Sequence, residues 1–152
     1  MKILVVGAGY VGLVSAACMA EMGHHVICLD IDEKKIEGLC KGILPIYEPG
    51  LGELIKSNLE AGRLSFTTSY EQSVPQAQIC FIAVATPQAE DGSCDLRYVL
   101  SAAQSIAQYI KKDAVVAIKS TVPVGTASQV KQIIDVEIVS NPEFLKEGHL
   151  IS

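Results

Sequence analysis

Short, nearly continuous apolar runs alternate with longer amphipathic stretches along the whole chain. The runs are "KILVVG" (2–7), "HVICLD" (25–30), "RLSFTTS" (63–69), "AQICFIAVA" (77–85), "AVVAIKS" (114–120) and "VEIVS" (136–140). They are too short for helices and apolar on consecutive positions, the pattern of strands buried on both faces. The stretches between them carry helical spacing: 10–23, 32–42, 50–62, a short turn at 69–76, 96–112 and 124–134. Gly23 and Gly62 close two of these as C-terminal caps, Pro49 enters the first turn of the third, and Asp95 caps the fifth. Strand–helix alternation of this kind gives parallel βα units with right-handed crossovers. The expected fold is therefore α/β, a Rossmann-type doubly wound, mostly parallel sheet of about six strands in one domain over 1–152.

Candidate chemistry follows from where the polar residues fall on this frame. "GAGYVG" places Gly7, Gly9 and Gly12 between the first strand and first helix. That context gives the spacing meaning: a tight turn at Gly7, close approach of a pyrophosphate at Gly9, and close helix–strand packing at Gly12. The helix has no Ser, Thr, Asp or Asn at its start, so a diphosphate can satisfy its first N–H groups. Asp30 ends the second strand about 20 residues past the glycines, where a carboxylate accepts from a ribose diol and repels a 2′-phosphate. NAD is thus favoured over NADP, with Lys35 within reach of the ribose edge. Helix capping is the competing role for Asp30, and Asp32 serves it equally well.

The other strands also end in polar residues: Thr86-Pro87, Thr121-Val122-Pro123 and Asn141-Pro142-Glu143. Ligands of open α/β sheets bind at this edge. A Thr beside a rigid Pro loop offers a hydroxyl that can donate and accept. Repetition at one edge favours function over ordinary loop punctuation. His24 and His25 fall at the opposite edge and read as turn residues.

Composition changes this picture little. With 49% apolar and 19% charged residues the 152-residue chain is globular, and no run is long enough for a membrane span. The opening "MKILVVGAG" is too short and glycine-rich for a signal peptide. A net charge of −5 without a basic cluster argues against nucleic acid. The five cysteines are odd in number and include no CxxC pair, so a reducing, cytoplasmic setting is expected. Cys18, Cys28 and Cys80 read as buried hydrophobes, and no cluster has metal-ligand spacing.

"GAGYVGL", "LDID..K", "PIYEPGL", "ATP....G..DL", "KSTVPVGT" and "NPEFLKEG" together resemble the NAD-binding half of the UDP-glucose/GDP-mannose dehydrogenases. The resemblance implies oxidation of a sugar C6 alcohol to a carboxylate with two NAD, through an aldehyde and a cysteine thioester. It implies cofactor contacts at Gly7, Gly9, Tyr10, Val11, Gly12, Asp30, Lys35, Thr86, Thr121 and Glu147. It further implies that Thr121 lies near the nicotinamide and the catalytic water, and that Glu143 positions that water or acts as base. Glu143, Phe144, Leu145, Lys146 and Glu147 would line the nucleotide sugar. Lys146 stands where the family often has Arg, keeping the charge and losing the fork.

The family's nucleophilic cysteine, with its Lys, Asn and Asp, belongs to a second, UDP-binding domain that these 152 residues do not include. A half-enzyme inactive alone is therefore expected. Its complete form would be a homodimer, with a monomer expected for the isolated chain. UDP-glucose is the substrate favoured by "PIYEPGL" and "NPEFLKEG". GDP-mannose, UDP-N-acetylmannosamine and a non-catalytic NAD-binding module are the alternatives. Tyr47-Glu48-Pro49 reads equally as substrate-facing or as a plain helix entry.

Overall fold

The computed structural model describes residues 1–143. Six strands are present: β1 (Lys2–Val6), β2 (His25–Leu29), β3 (Leu64–Thr67), β4 (Ile79–Ile82), β5 (Val115–Ile118) and β6 (Glu137–Ser140). Six helices accompany them: α1 (Tyr10–Glu21), α2 (Glu33–Cys40), α3 (Leu51–Glu60), α4 (Tyr70–Ser73), α5 (Arg97–Ala107) and α6 (Thr126–Ile133). The six strands pair in parallel throughout, in the order β3-β2-β1-β4-β5-β6. The order reverses between β1 and β4, and a crevice opens there above the strand ends.

The period-two alternation within each strand divides the core into two layers. Ile3, Val5, Val26, Cys28 and Leu64 face α1, α2 and α3, meeting Leu13, Ala17, Ile36, Leu39, Leu51 and Ile55. Leu4, Val6, Leu29, Cys80, Ile82 and Ile118 face the other way, onto Val99, Ala103 and Ile106 of α5 and Val130 of α6. Burial on both faces explains why the runs were apolar without alternation. Ala16, Ala17 and Ala20 of α1 are fully buried, so small side chains seat this helix close to the sheet.

Three local expectations need correction. Helix α5 starts at Arg97 with Leu96 at its cap position, and no side chain caps it. Asp95 sits one residue earlier, where its carboxylate accepts from the Arg97 N–H (3.0 Å) and holds the guanidinium. The helix also ends at Ala107, not Lys112, because Tyr109 and Ile110 turn inward against the core. Pro49 lies before α3, not in its first turn; Gly50, at φ +81°, is the cap residue. Ser69 caps α4, its hydroxyl accepting from the Gln72 N–H at 3.2 Å.

Candidate functional site: the carboxyl edge of the sheet

The crevice is built on the glycine turn. Gly7 has φ +110°, and a Cβ there would lie 2.5 Å from the Ala83 carbonyl oxygen. A Cβ on Gly12 would fall 1.7 Å from the Gly7 carbonyl oxygen. Both positions exclude a side chain for internal reasons: β1, α1 and the end of β4 converge on them. Gly9 differs, because a Cβ there meets nothing within 4 Å. The space above Gly9 belongs to no protein atom, and no side chain caps α1. Uncapped N–H groups at the positive end of a helix, under open space, suit an anionic group.

Asp30 ties β2 to this turn. Its Oδ2 accepts from the Ala8 N–H at 2.8 Å, and its Oδ1 from the Asp32 N–H at 2.9 Å. Lys35 approaches Oδ2 at 3.4 Å. Asp32, not Asp30, caps α2, accepting from the Lys35 N–H at 3.1 Å. The capping alternative for Asp30 is thereby removed, and its carboxylate lines the crevice.

That crevice has a volume of about 510 Å³. Gly7 and Gly9 form its floor; Asp30, Ile31 and Lys35 form one wall, and Val84, Pro87 and Tyr98 the other. Ile31 is 73% exposed, an apolar side chain held out at the crevice rim. A mostly apolar slot with one carboxylate and an uncapped helix end has the chemistry of a dinucleotide site, a flat base lying against carbon and a diphosphate against N–H groups. The residues present therefore fit NAD. Of the predicted contacts, Gly7, Gly9, Asp30 and Lys35 line this crevice. Tyr10 and Val11 lie next to it on the first turn of α1.

Farther along the edge, the two threonine loops meet. The Thr86 hydroxyl donates to the Thr121 carbonyl at 3.0 Å, linking the loop after β4 to that after β5. Ser120, buried between them, donates to the Val84 carbonyl at 2.7 Å. The Thr121 side chain stays exposed on this brace. Beside it, the Lys119 ammonium donates to Asn141 Oδ1 at 3.0 Å and to the Glu143 carboxylate. Glu143 thus comes to the same edge as Thr121. Phe144, Leu145, Lys146 and Glu147 lie outside the described residues.

Two charged residues at this edge are buried in a way the sequence reading did not foresee. Lys119 is 8% exposed and Glu48 only 5%. Glu48 accepts from the Tyr10 hydroxyl at 2.7 Å, so the "PIYEPG" loop is fastened to the start of α1. Tyr47, in contrast, is 88% exposed. A lysine ending a fully apolar strand was the available signal for Lys119. Glu48 gave none, since its burial comes from a loop folding back.

Of the cysteines, Cys94 reaches this edge, its thiol donating to the Thr121 carbonyl at 4.0 Å. Burial pushes the Cys28 thiol up to about 12, with the Asp30 charge adding and Lys35 opposing; burial alone takes Cys80 to about 12. The Tyr70 hydroxyl rises to about 12 by burial, then by the Asp30 charge. Among the described residues no group of three or more His, Cys, Asp or Glu is gathered to hold a metal, and no helix is long and apolar enough to cross a membrane.

A parallel 3-2-1-4-5-6 sheet with a glycine turn and a carboxylate at the end of its second strand, beside the reversal point, defines a Rossmann dinucleotide-binding domain. Residues 1–152 match the NAD-binding domain of the UDP-glucose/GDP-mannose dehydrogenase family, and the chain belongs to that family. It is 50% identical over 159 residues to UDP-glucose 6-dehydrogenase YwqF of Bacillus subtilis, covering 99% of this chain and 36% of the relative. The solved UDP-glucose dehydrogenase of Pyrobaculum islandicum superposes with a TM-score of 0.90 at 44% identity, over 97% of this chain and 37% of that one. A GDP-mannose dehydrogenase from Pseudomonas aeruginosa, solved as a ternary complex, gives 0.91 at 34% identity, over 99% and 38%. The chain thus spans little more than a third of the relatives it matches.

Proposed function

We propose that this chain is the cofactor-binding part of an enzyme that oxidises UDP-glucose to UDP-glucuronate. The observation that carries the choice of sugar is the gradient of likeness among solved structures: 44% identity to a UDP-glucose dehydrogenase against 34% to a GDP-mannose dehydrogenase. The reaction takes the C6 alcohol and one water to a carboxylate, passing two hydrides to two NAD and releasing three protons. NAD, when bound, is the hydride acceptor.

In this reading the first turn of α1, with Gly9 and Val11, holds the diphosphate, and Asp30 accepts from the adenosine ribose with Lys35 beside it. Thr86 braces the loop on which Thr121 stands. Thr121 presents its hydroxyl between the nicotinamide and a water, and Glu143 takes a proton from that water as it attacks the thioester carbonyl. Phe144, Leu145, Lys146 and Glu147 contact the nucleotide sugar, Glu147 reaching the cofactor as well. The cysteine that carries the thioester comes from a second domain, which also mediates a homodimer and binds the UDP. A cytoplasmic setting suits the unpaired cysteines.

The test is a single-turnover experiment on the complete enzyme carrying Glu143→Gln. Thioester hydrolysis should slow far more than the first hydride transfer. A slowed first transfer with normal hydrolysis would remove Glu143 from the water step. Preferred turnover of GDP-mannose would replace the substrate.

A further inference from the structure

A lysine with 8% exposure is unusual, because a buried ammonium must find partners to offset the loss of water. Lys119 directly follows β5, and its N–H donates to the Ile82 carbonyl at 2.8 Å, so its backbone is pinned to β4. Its stem runs beside Phe81, whose ring centroid lies 5.8 Å from the ammonium. Two of its three N–H donors are used: one on Asn141 Oδ1 at 3.0 Å, one on Glu143 Oε2. Asn141 is itself fixed, its N–H donating to the Ile118 carbonyl at 2.9 Å.

The pair is lopsided. The Lys119 side chain is 9% exposed and that of Glu143 32%. The cation lies inside and grips one carboxylate oxygen, while the Glu143 side chain stays partly exposed. Oε1 has no hydrogen-bond partner among the described residues. A guanidinium would tend to engage both oxygens through its fork; a point-charge ammonium takes one. The surface pair Lys41–Glu37 also engages one oxygen, but with both side chains exposed; Lys119 differs in being buried beneath a carboxylate that stays accessible. A base that must receive a proton needs that accessibility.

We propose that Lys119 is a positioning residue for Glu143: it holds Oε2 and aims Oε1 at the water of the hydrolytic step. The proposal rests on the reading of Glu143 as the base. In the complete enzyme, Lys119→Met should slow thioester hydrolysis by about tenfold or more, while the first hydride transfer stays within about twofold. The Lys119→Met/Glu143→Gln double variant should hydrolyse within about twofold of Glu143→Gln alone, since the two act as one unit.

A slow Glu143→Gln beside an unaffected Lys119→Met would overturn the role of Lys119 alone, as would additive losses. Normal hydrolysis in Glu143→Gln would overturn the base itself, and the positioning role with it. A second arm leaves Lys119 intact in case its replacement unfolds the protein. In the 152-residue chain, the Lys119 ammonium should give a ¹H–¹⁵N signal protected from solvent exchange, displaced by Glu143→Gln. An unmoved signal would contradict the contact.

Discussion

The two halves of this sheet end in different kinds of polar group. Around β1 and β2, the glycine turn, the uncapped start of α1 and Asp30 form a closed set, each held by backbone or by another member. Around β5 and β6, Thr121 is exposed and Glu143 is gripped on one side only. The first half has the shape and chemistry of a nucleotide site. The second carries Thr121 and Glu143, the groups we propose for the reaction. The difference teaches that binding and chemistry in such a fold are separable in sequence, even where they share one sheet edge.

The glycines give the sharpest way to test the first half. Gly12→Ala would put a Cβ 1.7 Å from a backbone oxygen, and Gly7→Ala would add strain at φ +110°. Each should destabilise the fold by about 3 kcal/mol or more, beyond ordinary overpacking because backbone must move. Gly9→Ala should leave the urea midpoint nearly unchanged, within about 1 kcal/mol, yet cut NAD affinity at least tenfold by filling phosphate space. Equal instability in all three would mean that Gly9 serves the fold, not the ligand.

Asp30→Ala comes next in size. Loss of a charged hydrogen bond to the ribose should weaken NAD by about 1.5–3 kcal/mol, with a smaller loss for NADP, as calorimetry would read. Equal losses for both would remove the discriminating role. Glu143→Gln in this same chain should leave NAD affinity within about twofold, because the second half lies apart from the crevice floor. A large loss there would erase the division between the halves.

The smallest effect concerns the thiols. Cys28 and Cys80 are held protonated, both pushed up to about 12 by burial, against an unfolded value of about 8.5. A raised thiol contributes stability that is complete below about 8.5 and is lost as pH climbs from there toward about 12. Urea midpoints should therefore fall above pH 9. A disulfide-exchange reagent at pH 8 should reach exposed Cys40 first and these two only on unfolding. Rapid labelling of Cys28 in the folded chain would contradict its burial.

The frame was legible because both signals are local. Continuous apolar runs mark strands buried on two faces, and glycine spacing between a strand and a helix marks the turn. Asp30 was legible by position, and Asp32 resolved its competing role once the α2 cap was seen. What the sequence could not yield depends on long-range folding. Lys119 and Glu48 look like ordinary charges until Asn141 and Tyr10 arrive from other segments to bury them. By contrast, the glycine spacing already separated Gly9, which faces open space, from Gly7 and Gly12, which face backbone. The end of α5 was misjudged for a related reason: Tyr109 and Ile110 continue the helical pattern but are drawn onto the core.

The central proposal is that the β1–β2 half of this edge binds NAD and that the β5–β6 half reacts only together with a second domain. Titrating the 152-residue chain with NAD in a calorimeter, then supplying UDP-glucose and assaying UDP-glucuronate, tests both at once. The account predicts saturable NAD binding without UDP-glucuronate. Sustained turnover by the chain alone, or no NAD binding, would contradict it.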